Sequence, residues 1–382
     1  MVEWKKLGEV EAQGVLSLGR GQIISKLDMQ NCPGDFPVYS SSSQGNGEIG
    51  RYGRYMFDDE RITWSIDGGG RLFYRNNEKY SVTNVCGWLK VNKPEVLSTR
   101  FLYFSLYDQW SNITFDYNHK AHPSVIRNEY LIPLPSLSEQ ERIVGILDTF
   151  TSSIENLKAQ ISQRRKQYDW FLDKLYYASK ADILEGVSKE RIVAKTFDEI
   201  GTFTRGRRFV RTDIVPEGVP CIHYGDMYTY YGVWADTTPT HLTKEKSVKL
   251  RFAQKGDVII VGAGENDLDI GVGVAWLGEE DVVIHDACYI FRHNQNPKYL
   301  SYFMRSRNYH MQIRMGVVDG KICSISAKEL GRTLIAVPSL EEQSRIVSIL
   351  DTFEASIKNL EAQLQARQKQ YEYYRNKLLT FE

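Results

Sequence analysis

The chain has 382 residues, 42% of them hydrophobic and 25% charged, and its 48 Lys+Arg balance 48 Asp+Glu. That length exceeds one ordinary core and predicts two or three domains. Zero net charge excludes a global cation excess as a source of nucleic-acid affinity, leaving local patches or a more basic partner to supply any DNA contact.

The first block, residues 1–135, opens with a short amphipathic element that leads into the basic, glycine-containing turn LGRGQIIS, with Arg20. Short β-type runs follow (FPVYSSSS, RITWSI, SVTNVCGWLKV), then an aromatic-rich helix expected around Ser98–Gln109 and the closing apolar strand EYLIPLP. The pattern predicts a mixed α/β (α+β) domain with a twisted, largely antiparallel sheet. Its loops carry Ser41, Gln44 and Asn46, then Arg51 and Arg54, then Arg71 and Arg75 around GGGRLFYR. Asn and Gln pair bidentately with adenine, Arg with guanine, and Ser with phosphate, so these are candidate DNA contacts. The same residue types also make plain turns.

Residues 136–180 form the first of two long helices. Apolar residues alternate by four and three through Ile143, Leu147, Phe150, Ile154, Leu157 and Ile161, then Tyr168, Phe171 and Leu175, which is a coiled-coil seam. Arg164 interrupts it, at a cost in packing that can fix register. Ser136 and Glu139 have capping-box spacing.

The second block, residues 181–337, repeats the plan with different residues. The turn TRGRRF offers Arg205, Arg207 and Arg208, and a Tyr-rich run offers His223, Tyr224 and Tyr228. Asn266, in the expected turn GAGEND, and Lys321 complete the DNA candidates. An aromatic helix is expected over Pro297–Gln312, before the strand LGRTLIAVP.

Residues 338–382 repeat the first long helix: about 25 of the first 41 aligned positions are identical. The seam recurs from Ile346 to Leu378, interrupted by Arg367 where the first copy has Arg164, and Ser339 with Glu342 repeats the cap. A helix of about 40 residues, roughly 60 Å long at 1.5 Å per residue, needs a partner along its stripe, and the other copy is the nearest. Antiparallel pairing is favoured, with an approximate twofold axis relating one block-plus-helix unit to the other and the chain end near Phe381 close to the start of the first block. Off the seam the copies still match, at Gln140/Gln343, Arg142/Arg345 and Asp148/Asp351 among others. Two matching surfaces on one chain suggest two identical partner subunits, with these six residues and the seam pair Arg164/Arg367 as the candidate docking and coiled-coil set.

Catalytic chemistry is not predicted. Cys32, Cys86, Cys221, Cys288 and Cys323 form no C-x-x-C pair, and His119-x-x-His122 lacks a third ligand, so no metal is expected. There is no G-x-x-x-x-G-K-[ST] loop and no proline-proline-aromatic motif of an amino-methyltransferase. The charged opening MVEWKKLGEVEAQ and the lack of an apolar run near 18 residues predict no membrane segment and a cytoplasmic location.

The doubled segments PSLSEQERIVGILD and PSLEEQSRIVSILD, the helices after them and the two dissimilar blocks resemble the specificity (S) subunit of Type I restriction-modification enzymes. The block openings (LGEV…GRG; FDEIGTFTRGRRF) and PVYSSSSQGNGEIGRY are similar to that family's target-recognition domains. The resemblance implies a non-catalytic subunit whose two target-recognition domains each read half of a bipartite double-stranded DNA site. It implies helices that set the spacer and dock two adenine-N6 methyltransferase subunits, with restriction/translocase subunits joining them. It also implies that S-adenosylmethionine, ATP and Mg belong to those partners and that this chain needs no cofactor. A coiled-coil scaffold without DNA readout is the alternative.

Overall fold

The computed structural model describes residues 2–42, 45–116, 118–176, 193–265, 269–318 and 320–381. They divide into two compact units: residues 1–158 with 362–382, and residues 159–361. Each unit therefore holds one block, the beginning of one long helix and the end of the other.

In the first unit an antiparallel sheet of four strands runs in the order Leu16–Arg20, Cys86–Val91, Arg61–Ser65, Leu72–Arg75. A second sheet sets Phe36–Tyr39 between Glu48–Tyr52, antiparallel, and Ser81–Val82, parallel. The helix Thr99–Trp110 lies where the aromatic helix was expected, and Phe101, Leu102 and Phe104 bury against Ile62, Trp64 and Leu89.

The second unit is also mixed, with two five-stranded sheets. The strand Val258–Val261 is central in one of them, between Gly273–Trp276 and Cys288–His293, and is buried at every position, so both faces of the sheet are covered there and its apolar run is unbroken. The single helix expected over Pro297–Gln312 is instead two, Pro297–Phe303 and Arg307–Ile313. Ser306 is extended and its hydroxyl accepts the Tyr309 N–H, starting a new helix, while Arg305 donates to the carbonyls of Gly232 and Gly273. The expected turn at GAGEND begins as a two-residue strand, Ala263–Gly264, paired with Cys323–Ser324.

Both blocks are closed in the same way. Glu3–Lys6 pairs with Leu131–Leu134, and Val193–Thr196 with Leu334–Val337. The Gln109 amide makes two hydrogen bonds to the backbone of Leu131, and Gln312 makes the same two to Leu334.

The long helices are Leu137–Tyr176 and Leu340–Leu379, 40 residues each. Ser136 and Ser339 cap them, accepting the N–H of Glu139 and Glu342. The glutamate carboxylates turn forward onto Arg142 and Arg345. The helices run antiparallel within each unit. In the first, Phe150 stacks on Tyr374 at 5.3 Å, and Leu379 joins Ile143 and Leu147 in the core. In the second, Phe171 meets Phe353 at 5.1 Å. The seam arginines answer each other: Arg367 lies over Phe150 at 5.6 Å and Arg164 over Phe353 at 5.7 Å. Each exchanges apolar packing for a cation–π contact on the equivalent ring of the opposite helix. Phe381 packs edge-on to Trp4 and Phe101, so the chain end does reach the start of the first block.

Candidate nucleic-acid interface

In the first block two loops meet. The hairpin tip after Tyr39 approaches the turn of Gly68, Gly69 and Gly70 so closely that a Cβ on Gly68 would lie 2.1 Å from the Ser41 carbonyl oxygen. Gly69 and Gly70 have φ of +77° and +71°, a region that favours glycine. The turn therefore needs its glycines to bring its backbone against the Ser41 loop. Arg71 is half-buried along the Phe73 ring, and Asn46 is exposed with its side chain accepting the Glu48 N–H. Arg20 and Arg54 are exposed on the same block. Arg51, also exposed, is tied to Glu48 and to the Asp35 carbonyl. Gln44 lies outside the described residues.

Arg75 requires a correction. Only 5% exposed, it donates to Thr63 and to the Asn46 carbonyl and sits 3.4 Å over the Tyr39 ring. Burial lowers its pKa. It anchors the hairpin tip from beneath and presents no guanidinium to a ligand, because its strand position points into the seam between the two sheets.

In the second block Arg205, Arg207 and Arg208 are exposed, with Arg205 donating to the Asp286 carbonyl and Arg207 to the Lys249 carbonyl. Lys321 is exposed. Asn266 lies outside the described residues. His223 is the second correction: it is 6% exposed, its ring 4.7 Å from His285 and 6.0 Å from Phe209. Burial, then the neighbouring His285, holds its pKa below the ordinary value, so it is a neutral packed ring. Tyr224 is half-buried against the same pair. Tyr228 is 36% exposed, and its hydroxyl abuts Gly264.

The matched helix residues separate into two kinds. Gln140 and Gln343 are fully buried, so they cannot be docking surface. Gln140 accepts the Ser98 N–H and donates to the carbonyls of Val96 and Pro135. Gln343 accepts the Asn296 N–H and donates to Gln295 and the Pro338 carbonyl. Ser98 and Asn296 cap the helices Thr99–Trp110 and Pro297–Phe303, so each glutamine fastens a block to its long helix. Asp148 and Asp351 do the same work, receiving Arg100 and Lys298 respectively, with Tyr302 also bonded to Asp351. Arg142 and Arg345 do face solvent.

Two features here leave little trace in the sequence. Arg100, held by Asp148 and lying over Tyr74 and Phe104, lines a cleft of about 1020 Å³ with Asn46, Tyr103 and Tyr371. A cation placed two residues after a helix cap was its only signal. Trp170 and Tyr373, at equivalent positions, are 55% and 59% exposed, with Lys174 and Lys377 over their rings. That pairing was visible in the alignment but hidden by the seam pattern. Among the described residues no group of three metal-ligating side chains occurs, and no helix is long and apolar enough to cross a membrane.

The family model described as "Type I restriction modification DNA specificity domain" matches residues 1–164 and again 190–367. A protein named as a candidate type I specificity subunit in Mycoplasma pneumoniae is 26% identical over 373 residues, 95% of each chain. The specificity subunit of another type I restriction enzyme from that organism is 34% identical over 174 residues, 44% of this chain and 52% of that one. Among solved structures, the S subunit of a Type I restriction-modification system from M. genitalium superposes with a TM-score of 0.62 at 16% identity, covering 99% of this chain and 96% of that one.

Proposed function

The chain belongs to the family of Type I restriction modification DNA specificity proteins, and on that premise we propose that each of its two blocks reads one half of a bipartite double-stranded DNA site. The observation that carries this reading is the contrast within the repeat. Both blocks are fastened to the helices through the same glutamine and aspartate positions, yet beyond the Arg-Gly turn at Arg20 and Arg205 their exposed loops carry different residues. A constant mount with a variable face is what reading two unrelated half-sites requires.

In this reading the paired helices set the spacer between half-sites and dock two methyltransferase subunits, one on each copy of the exposed repeat. The equivalent exposed groups Arg142/Arg345 and Trp170/Tyr373 suit that task, because Trp, Tyr and Arg are the side chains most enriched among interface anchors. The chain itself is non-catalytic: S-adenosylmethionine, ATP and Mg would sit on the methyltransferase and restriction/translocase partners. It would position a target adenine for flipping into a partner's pocket, in the cytoplasm. A balanced net charge suits this division, with phosphate affinity shared among subunits and selectivity supplied here.

Methylome mapping in cells with and without the gene tests the reading. A split methyl-adenine motif that disappears on deletion, and of which one half changes when one block is exchanged, is the expected result; a motif indifferent to both manipulations refutes it. Inserting seven residues into both helices should lengthen the accepted spacer by about 3 base pairs, from roughly 10 Å of added helix at 3.4 Å per pair.

A further inference from the structure

The second unit exposes an apolar projection that its own fold does not need. After Arg307–Ile313 the chain makes a short turn, Arg314–Gly316, and enters a hairpin in which Val318 and Ser324 exchange both backbone hydrogen bonds. The base of this hairpin is firmly held. Cys323–Ser324 pairs with Ala263–Gly264, Ile325 is 3% exposed and donates to the Gly262 carbonyl, and Gly316 lies against Glu329 with no room for a Cβ. Above that base Met315 is 97% exposed, Val318 66% and Ile322 62%. Three large apolar side chains on a well-anchored support are unusual for a surface with no function.

The corresponding stretch of the first unit, between Thr99–Trp110 and Pro123–Glu129, behaves in the opposite way. Phe115 is 9% exposed and packs on Gly70, Trp110 donates to the Gly69 carbonyl, and Ala121 donates to the Ile66 carbonyl. The shared plan can thus bury this segment, so its projection in the second unit belongs to that block's variable face.

Charge identifies what the projection meets. Arg314 and Lys321 flank the apolar side chains, both exposed and in no ion pair among the described residues, which do not include Asp319 between them in sequence. Arg205 lines the adjacent cleft of about 310 Å³ together with Gly316, Val318 and Ser324; Glu329 and Asp286 also line it, Glu329 tied to Arg332. Cations beside apolar tips suit duplex DNA, whose phosphates take the charges and whose base edges, thymine methyls included, take the apolar groups. We propose that Met315, Val318 and Ile322 form an apolar reading tip that the second block presses onto base edges of its half-site, with Arg314 and Lys321 on the flanking phosphates. The inference rests on the DNA-reading function proposed above.

The test uses the full chain assembled with its methyltransferase subunits and a fluorescent duplex carrying the mapped bipartite site. The double variant Met315→Ala/Ile322→Ala should weaken specific binding at least about tenfold while leaving the slope of log K against log salt unchanged, since no phosphate contact is lost. Met315→Leu/Ile322→Leu should restore binding, and Lys321→Ala should reduce the slope by about one. In cells, the Ala variant should relax the half-site assigned to the second block and leave the other half intact. Unchanged affinity and motif would overturn the proposal, as would failure of the Ala variant to assemble with the methyltransferase, which would make the tip a protein contact. Absence of any bipartite selectivity in the unaltered complex would instead refute the parent reading, and so is distinguishable.

Discussion

The two blocks of this chain are mounted alike through buried residues and differ on the loops they expose. Gln140 and Gln343 cap the same kind of helix start, Asp148 and Asp351 receive the same kind of cation, and Gln109 and Gln312 hold the same closing strand. Against that, both blocks expose arginines, but the second adds exposed apolar side chains at Met315, Val318 and Ile322 where the first buries Phe115. Identity between duplicated segments is therefore no guide to a shared partner until burial is known. An identical residue can be kept for an internal bond that both copies need, or for an external one.

The comparison can be broken most forcefully at the fastenings. Gln343→Ala leaves the Asn296 N–H and the Pro338 carbonyl unpaired in a buried site and should cost about 2–4 kcal/mol in the second unit, with Gln140→Ala doing the same to the first. Hydrogen-exchange measurements on the full chain should find protection lost in the unit that carries the substitution and largely kept in the other. Equal loss in both units would show that they unfold as one.

Acid should separate the units by a similar margin. Burial pushes His293 down to about 4, and burial also lowers His223 and His285, all in the second unit. These histidines fold neutral, whereas the unfolded chain takes up their protons near pH 6.5. Stability is thus full above that pH and falls as pH drops from about 6.5 toward 4, by on the order of 3 kcal/mol for His293 alone. Denaturant titrations at pH 7 and pH 4.5 should show the loss, and His293→Asn should flatten it.

The smallest effect belongs to the seam. Arg164→Ala and Arg367→Ala each remove one cation–π contact from the opposite phenylalanine and should cost about 0.5–1 kcal/mol, equally in the two units, as read by thermal melting. Unequal costs would mean that the two contacts are not equivalent.

Much of this fold is legible in the chain as written. The four–three spacing of the seam, the Ser136 and Ser339 caps and the antiparallel pairing all follow from periodicity and connectivity, because a coiled-coil stripe is a local, repeating signal. The aromatic helix at Thr99–Trp110 is legible to within a residue or two, whereas its counterpart reads as one helix because the Ser306 cap looks like any serine inside an aromatic run. Residue type alone misled at Arg75, His223, Gln140 and Gln343. An arginine, a histidine or a glutamine reads as a surface group unless its strand or helix turns it inward, and that direction depends on which sheet or block lies beside it.

By itself the sequence determined that the molecule is built twice, that its helices pair, and that its faces differ, since duplication, heptad spacing and loop composition are carried by neighbouring residues. Only the tertiary structure decided which of the duplicated residues look inward to hold a block and which look outward, and that Met315, Val318 and Ile322 stand clear of the core. Burial is a property of the whole packed unit, and no short window of sequence contains it.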